Sequence, residues 1–397
     1  MSSSLSQPLT GRRIWIAGIG GAGMSAYALL ARAWGAEVSG WDRVETPYLA
    51  HLGGIEVTIA PEPPHPPAGA EVYVSTAFAG QVEGRPRAQL LAELVSLRPS
   101  IVVAGAHGKT TTSAMIAFCL DRLGLDPAFL IGGDVEQLGG NAGAGKGWLV
   151  VEGDESDRSV AALRPEIAVL LNVDLDHHAT FASRAEMEAL FEEWLADVPE
   201  VVRANALEPV ALELAVPGAH NRRNAAAALA ALELAGVPRG DAERVIVEFR
   251  GAGRRLEWRG EAGGVDVLDS YAHHPAELEA DLAAVRNGGR VLVLFQPHLY
   301  SRTLHLAHAF ARVLASADAV CVTEIYPARE DPVPGVSGRL VVDELAGIRP
   351  GMRLGWSPSV ESAARLVAGW ARPGDTVLTL GAGDVDRAVP LILEALA

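Results

Sequence analysis

The sequence predicts an α/β protein of three domains built on parallel sheets. Short β-branched apolar runs alternate with longer Ala/Leu-rich stretches at helical spacing: RRIWIAGIG precedes MSAYALLARAWG, SIVVAGAHG precedes TTTSAMIAFCLDRLG, and RVLVLFQPH precedes LHLAHAFARVLASA. Such alternation implies βαβ units. The pattern restarts three times, and 397 residues exceed one ordinary core at about 100–200 residues per domain. The segment RPS (98–100) marks one junction, and FRGAGRRLEWRG (249–260), where glycines and arginines interrupt the apolar periodicity, marks another. The expected domains are therefore 1–98, 99–250 and 251–397, with PEPPHPPAGAE (61–71) a surface loop in the first.

Composition narrows the function. Hydrophobic residues make up 49% and charged residues 21%, which supports packed cores rather than disorder. A net charge of −16 excludes an electrostatic grip on nucleic acid or an anionic membrane, so bound phosphates must be held by local devices such as helix N-termini. Small-molecule partners are expected, with the protein a monomer or homodimer. Cys119 and Cys321, in stretches that read as helix and strand, are expected to be buried reduced thiols. The N-terminus lacks an apolar run of signal-peptide length, and no stretch of about 18 apolar residues occurs, so a cytoplasmic protein is expected.

The first element of the first domain runs into Gly18-Ile19-Gly20-Gly21-Ala22-Gly23-Met24-Ser25, which opens a helix, and Asp42 ends the next strand. That spacing suits a diphosphate on a helix N-terminus with an acid near a ribose. A dinucleotide-binding loop or a plain tight turn reads the same way.

The second domain opens with strand, glycine loop and helix around Gly105-Ala106-His107-Gly108-Lys109-Thr110-Thr111-Thr112. Backbone N–H groups freed by the glycines can wrap phosphates, Lys109 can neutralise β/γ oxygens, and the Thr110 hydroxyl can coordinate Mg²⁺. The generic motif wants a further glycine upstream, which this chain lacks, yet the flanking elements make ATP binding the expectation. Acids follow at two strand ends: Glu152, Asp154, Glu155 and Asp157 in WLVVEGDESDRS, then Asn172, Asp174, Asp176, His177 and His178 in VLLNVDLDHHATF. Charged strand ends are often merely solvated. Glu152 and His177, directly at strand termini, are the candidates for Mg²⁺.

His220-Asn221-Arg222-Arg223-Asn224 precedes an alanine-rich helix, where Asn224 reads as a cap and His220 or Asn221 as an adenine contact. The third domain offers Asp269, Tyr271, His273, His274 and Glu277 in VLDSYAHHPAEL, then His298 and Arg302 in LFQPHLYSRT. Both clusters follow apolar strands, where α/β proteins keep their ligand crevice.

In this order the segments resemble the Mur ligases, ATP-dependent amino-acid ligases of peptidoglycan synthesis. The resemblance spans the chain through GIGGAGMSA, GAHGKTTT, EGDESD, NVDLDH, HNRRNA, GAGRRLE, DSYAHHP, FQPHLYSRT, VTEIYPARE and GAGDV. It implies a Rossmann-like N-terminal domain, a central phosphate-loop ATPase domain with a mononucleotide-binding fold, and a Rossmann-like C-terminal domain. Gly18, Gly20, Gly21, Gly23, Met24, Ser25 and Asp42 would hold the UDP part of UDP-N-acetylmuramic acid. Gly105, His107, Gly108, Lys109, Thr110 and Thr111 would hold ATP, joined by His220, Asn221, Asn224, Arg254, Arg255 and Asp269. Thr110, Glu152 and His177 would hold Mg²⁺, and Tyr271, His273 and Arg302 the amino acid. Lys109, His273, His298 and Arg302 are the implied catalytic residues. DSYAHHP and FQPHLYSRT are more similar to the alanine-adding branch than to those adding D-glutamate or a diamino acid, which implies L-alanine as the amine.

The chain departs from the family in four places, the mildest being Ser270-Tyr271-Ala272-His273-His274-Pro275 where DYGHHP is usual. Asp176-His177-His178-Ala179 stands where a DHLD segment is usual, Leu299 where an arginine is common, and the span 195–221 is short, implying a central sheet trimmed at an edge. A branch that attaches a preformed peptide and a catalytically weakened nucleotide-binding relative are the alternatives.

Overall fold

The structure, a computed structural model, describes residues 7–155, 157–174, 180–286, 289–328 and 330–397. Each restart of the apolar pattern has produced its own sheet. The first holds β1 (Arg13–Ala17), β2 (Glu37–Asp42), β3 (Glu56–Ile59), β4 (Glu71–Val74) and β5 (Arg85–Pro86), all parallel, in the order β3-β2-β1-β4-β5. α1 (Ala22–Ala33) follows β1, and α2 (Arg87–Ser96) follows β5.

β6 (Ser100–Ala104) begins the second sheet, and all five of its residues are buried, as a strand covered on both faces must be. Its helix is α3 (Lys109–Arg122); β7 (Ala128–Leu130), β8 (Ala142–Ala144), β9 (Leu149–Glu152), β10 (Ile167–Leu170), α4 (Arg184–Leu195) and β11 (Glu200–Arg203) follow. The order is β11-β10-β6-β9-β7-β8, parallel except for the β7/β8 pair. α4 starts where Ser183 accepts from the Glu186 backbone N–H, an N-cap that the sequence supplies at the right spacing. β11 is the sheet edge, and none of the described residues 204–218 adds a strand before α5 (Ala219–Leu234) and α6 (Arg239–Ile246).

The third sheet comprises β12 (Glu257–Ala262), β13 (Val265–Ser270), β14 (Val291–Phe295), β15 (Ala319–Thr323), β16 (Arg353–Ser357) and β17 (Thr376–Leu380), ordered β12-β13-β17-β14-β15-β16. Only β12 runs antiparallel. α7 (Pro275–Val285), α8 (Tyr300–Leu314) and α9 (Arg339–Ile348) pack on one face; α10 (Val360–Ala368) and α11 (Ala388–Leu396) pack on the other.

The chain divides into two compact units: Met1–Ala215 with Asn221–Arg250, and Val216–His220 with Gly251–Ala397. The first unit contains two sheets because a single apolar core joins Leu90 and Leu94 of α2 to Ile14 and Ile16 of β1 and to Leu149 and Val151 of β9. Cys119 in α3 and Cys321 in β15 are free and buried, and burial pushes both thiols up to about 12, as inert core cysteines. Among the described residues no helix is long and apolar enough to cross a membrane.

Candidate active site

The phosphate loop lies where its motif placed it, between β6 and α3. Gly108 caps α3 with φ +87°, and a Cβ there would stand 2.5 Å from Asn224 Oδ1, so geometry and space both demand glycine. His107 and Asn172 bracket the loop reciprocally: the His107 N–H donates to Asn172 Oδ1 at 2.9 Å, and Asn172 Nδ2 donates to the His107 carbonyl at 2.8 Å. The first-turn N–H groups of Lys109, Thr110 and Thr111 have no acceptor inside the helix, which makes them donors for an anion. Gly108→Ala is expected to lower nucleotide affinity at least about 10-fold, since the left-handed backbone alone costs about 1–2 kcal/mol for a residue with a Cβ; titration with Mg²⁺-ADP measures it.

Lys109 Nζ donates to Glu155 Oε1 at 2.8 Å and to the Gly105 carbonyl at 2.6 Å. Burial pulls the ammonium down, but Glu155 and Glu152 outweigh it and hold its pKa above the ordinary lysine value. Thr110 Oγ1 donates to Glu152 Oε1 at 3.1 Å, and the Gly132 N–H donates to Glu152 Oε2 at 2.7 Å. A hydroxyl and a carboxylate oxygen beside a phosphate loop are hard donors that fit Mg²⁺. His177, the third expected metal residue, lies outside the described residues, as do Asp176 and His178. Among the described residues no group of three or more His, Cys, Asp or Glu stands ready as a metal cage.

Asn224 does not cap its helix. α5 already begins at Ala219, behind Gly218 at φ +103°, so Asn224 sits in the second turn, facing the phosphate loop, and donates to Asn221 Oδ1 at 3.3 Å. Both asparagines are buried, a position that suits nucleotide contact better than capping does. In the second unit, burial and nearby Arg255 lower the His220 pKa, so its imidazole is neutral at pH 7.

In the first sheet Gly18 has φ +82°, and a Cβ there would lie 2.3 Å from Ser75 Oγ. Asp42 closes this glycine loop itself, accepting from the Gly20 N–H at 2.8 Å and from the Arg43 N–H at 2.7 Å. Gly21 precedes α1, whose first turn presents Ala22, Gly23 and Met24 N–H groups, while Ser25 Oγ bonds back to the Ala22 carbonyl. The glycine loop is thus preorganised for an anion, and the expected acid braces it.

The second unit gathers Tyr271, His273, His298 and Arg302 at the C-terminal ends of β13 and β14. Ring centroids lie 5.5 Å apart for Tyr271–His273 and 5.8 Å for His273–His298. Arg302 is buried, with Nη1 3.2 Å from His298 Nδ1. Tyr326, for which no role was assigned from sequence, stacks on His298 at 5.8 Å; its signal was the strand end within VTEIYPARE, three residues before it. Beside it a cavity of about 380 Å³ is lined by Gln296, Thr323, Glu324, Asp384 and Arg387 among others, on the scale of a small-ligand pocket. Leu299 has φ +71° and ψ 134°, a strained conformation for a residue with a side chain, fixed by its N–H bond to the Tyr326 carbonyl. His274 caps α7 in a capping box with Glu277, so its work is structural.

Arg254 and Asp269 are engaged with each other. Asp269 is fully buried, accepting from Arg254 Nε at 2.8 Å and from the Thr379 hydroxyl, while Arg254 also donates to the carbonyls of Gly381 and Gly383. Burial pushes the Asp269 carboxyl above the usual range. Arg255 faces the Tyr271 ring at 5.5 Å. Behind this strand end, buried Asp281 accepts from Ser270 Oγ, and burial pushes it up to about 7. Because the folded state holds this proton more tightly than an unfolded carboxyl of pKa 3.8, the contribution is fully present below about pH 4 and is lost as pH rises through about 7. Asp281→Asn is therefore expected to raise Tm at pH 8 and to change it little at pH 4; thermal scans at the two pH values check this.

Comparison with known proteins identifies the family. The family model "Mur ligase, glutamate ligase domain" matches residues 254–383. The UDP-N-acetylmuramate–L-alanine ligase of Streptomyces griseus is 40% identical over 450 aligned positions, covering 96% of each chain. That alignment is longer than the 397 residues here, so the relative carries segments that this chain lacks. Among solved structures, the UDP-N-acetylmuramate–alanine ligase of Thermotoga maritima superposes with a TM-score of 0.78 at 25% identity, covering 96% of this chain and 98% of that one. A murein peptide ligase of Psychrobacter arcticus matches less well, with a TM-score of 0.64 at 22% identity over 97% of this chain and 99% of that one. The chain belongs to the Mur ligase family, in its UDP-N-acetylmuramate–L-alanine ligase branch.

Proposed function

We propose that the chain joins L-alanine to the lactyl carboxylate of UDP-N-acetylmuramic acid, with ATP converted to ADP and phosphate, in the cytoplasmic stage of peptidoglycan synthesis. The observation that carries the reading is the phosphate loop with Lys109 and Thr110 backed by Glu155 and Glu152, in a chain whose relatives of about 40% identity bear that activity. The proposed domains are 1–98 for the UDP-substrate, 99–250 for ATP and 251–397 for the amino acid.

A carboxylate does not acylate an amine at neutral pH, because oxide is too poor a leaving group. The proposed remedy is transfer of the ATP γ-phosphoryl to an oxygen of the lactyl carboxylate, which breaks the bond from the γ-phosphorus to the β–γ bridging oxygen, releases ADP and forms an acyl phosphate. Lys109, released from Glu155 by the incoming phosphates, and the first-turn N–H groups of α3 stabilise the charge that spreads over the transferring group. Mg²⁺, held by Thr110 and Glu152 and in family terms by His177, would supply further charge neutralisation. Gly108, His107, Gly105, Thr111, Asn221 and Asn224 shape the nucleotide site, with His220 and Arg255 assigned to the same ligand.

The alanine amine then attacks the acyl carbon, forming C–N; the acyl C–O bond breaks and phosphate departs with the former carboxylate oxygen. Arg302 is suited to the alanine carboxylate and Tyr271 to its side-chain end. His273 or His298 takes the ammonium proton. The strained Leu299 backbone orients His298, its direct neighbour. The first glycine loop, from Gly18 to Ser25, holds the diphosphate.

Phosphate release from Mg²⁺-ATP and UDP-N-acetylmuramic acid, with L-alanine or with a preformed peptide as acceptor, tests the assignment. Release stimulated by alanine alone supports it; release with the peptide alone assigns the chain to the peptide-adding activity, and none with either acceptor, despite nucleotide binding, makes it a weakened relative.

A further inference from the structure

Arg87, the first residue of α2, connects the two phosphate-binding loops of the first unit. Its Nη2 donates to Asp154 Oδ2 at 2.7 Å and its Nε to Asp157 Oδ2 at 2.9 Å, so one planar fork holds two carboxylates of the segment after β9. That same segment carries Glu155, which holds Lys109, and Glu152, which holds Thr110. Nη1 faces the opposite way. A Cβ on Gly23, in the first turn of α1, would stand 3.6 Å from it and 3.8 Å from the Tyr27 hydroxyl. Burial pushes the Tyr27 phenol up to about 12, so this neighbour is a neutral hydroxyl that leaves the positive charge of Arg87 undiminished.

The arrangement differs from a surface ion pair. The Arg87 side chain is only 18% exposed, and both anions lie in the loop that carries the nucleotide-site acids rather than on α2 itself. Short-range bonds also shape the loop: Ser159 Oγ donates to the Asp154 carbonyl, and the Ser159 N–H to Asp157 Oδ1. The guanidinium of Arg87 thus ties this loop to the start of α2, beside the first turn of α1. Because that group is rigid and planar, a displacement at Nη1 carries Nε and Nη2 with it.

We propose that Arg87 is a positioning residue that couples the sites: an anionic sugar-nucleotide at the α1 N-terminus draws Nη1, the fork turns the Asp154–Asp157 segment, and Glu152 and Glu155 are set for the Mg²⁺-nucleotide. The proposal rests on the ligase reading for the identity of the sugar-nucleotide. It makes each ligand tighten the site of the other, so the ATP site is fully formed only when the sugar-nucleotide is also bound, which limits phosphoryl transfer to water.

The test is the Kd of Mg²⁺-ADP with and without saturating UDP-N-acetylmuramic acid. In the wild type the sugar-nucleotide is expected to tighten ADP binding by about 5-fold or more. Arg87→Gln should abolish that ratio while each ligand alone still binds; Arg87→Lys, a point charge that reaches one carboxylate, should restore part of it. The KM for L-alanine should stay unchanged while kcat falls by about 10- to 100-fold, as for loss of an outer-shell partner. A residue that merely supports the fold would lower Tm and leave the ratio intact, and that result overturns the proposal. Should Arg87→Gln fail to fold, Asp157→Asn substitutes for it: a diminished ratio supports the coupling and an unaltered one refutes it. Wild-type binding of both ligands without coupling refutes it alone, whereas no binding of the sugar-nucleotide sinks the ligase reading as well.

Discussion

Lys109→Ala is expected to reduce kcat for alanine-dependent phosphate release by about 10²–10³-fold, the usual loss when one donor to a developing anion is removed from a preorganised site. The ammonium is the only side-chain cation bonded within the phosphate loop among the described residues, and the Glu155 carboxylate that holds it is fully buried. Its removal leaves that buried carboxylate without its lysine, so a modest fall in Tm should accompany the loss of activity. Lys109→Ala/Glu155→Gln separates the two effects. The double variant should regain stability, because the buried anion is gone, and remain inactive, because the phosphates still lack their lysine.

Arg254→Ala carries the largest expected effect on stability. Asp269 would keep the Thr379 hydroxyl but lose its cation while fully buried, and the carbonyls of Gly381 and Gly383 would lose their donors. Breaking a buried pair from one side costs about 3–5 kcal/mol. For a unit of this size that corresponds to a Tm lower by about 6–20 °C. Arg254→Ala/Asp269→Asn should recover much of the loss, since an amide keeps the Thr379 bond without a stranded charge. An unchanged Tm in the single variant would show that the GAGDV loop stands without this arginine.

The parts of the site that were legible in sequence are those whose geometry is local. A strand of buried β-branched residues, glycines at positions with positive φ and a helix opened by Lys109 form a motif within about a dozen residues, and its chemistry follows from that spacing. The three sheets were legible for the same reason, because each βαβ restart is a short-range pattern. What the residue pattern did not disclose depends on distant partners. Arg87 meets Asp154 and Asp157 from 67 and 70 residues away, and Arg254 meets the GAGDV loop from 127 and 129 residues away. No periodicity encodes such pairs. Asp42, whose position at a strand end suits an acid near a ribose, also accepts from the Gly20 N–H of the glycine loop, a bond that the spacing did not disclose. Asn224 was read as a cap because a polar residue before an alanine run is the usual N-terminus signal; the helix had started five residues earlier, behind Gly218. The antiparallel strands β8 and β12 escaped notice because β8 is an edge strand of three residues and β12 an edge strand rich in polar residues, which leave little alternation to read.

The central claim is that this chain activates a carboxylate by phosphorylating it. The most direct measurement uses UDP-N-acetylmuramic acid labelled with ¹⁸O in the lactyl carboxylate, together with Mg²⁺-ATP and L-alanine, followed by mass analysis of the phosphate released. Phosphorylation of the carboxylate predicts one ¹⁸O transferred to each phosphate and a product heavier by one alanine residue; phosphate released without the label would contradict it, because its fourth oxygen would then have come from water.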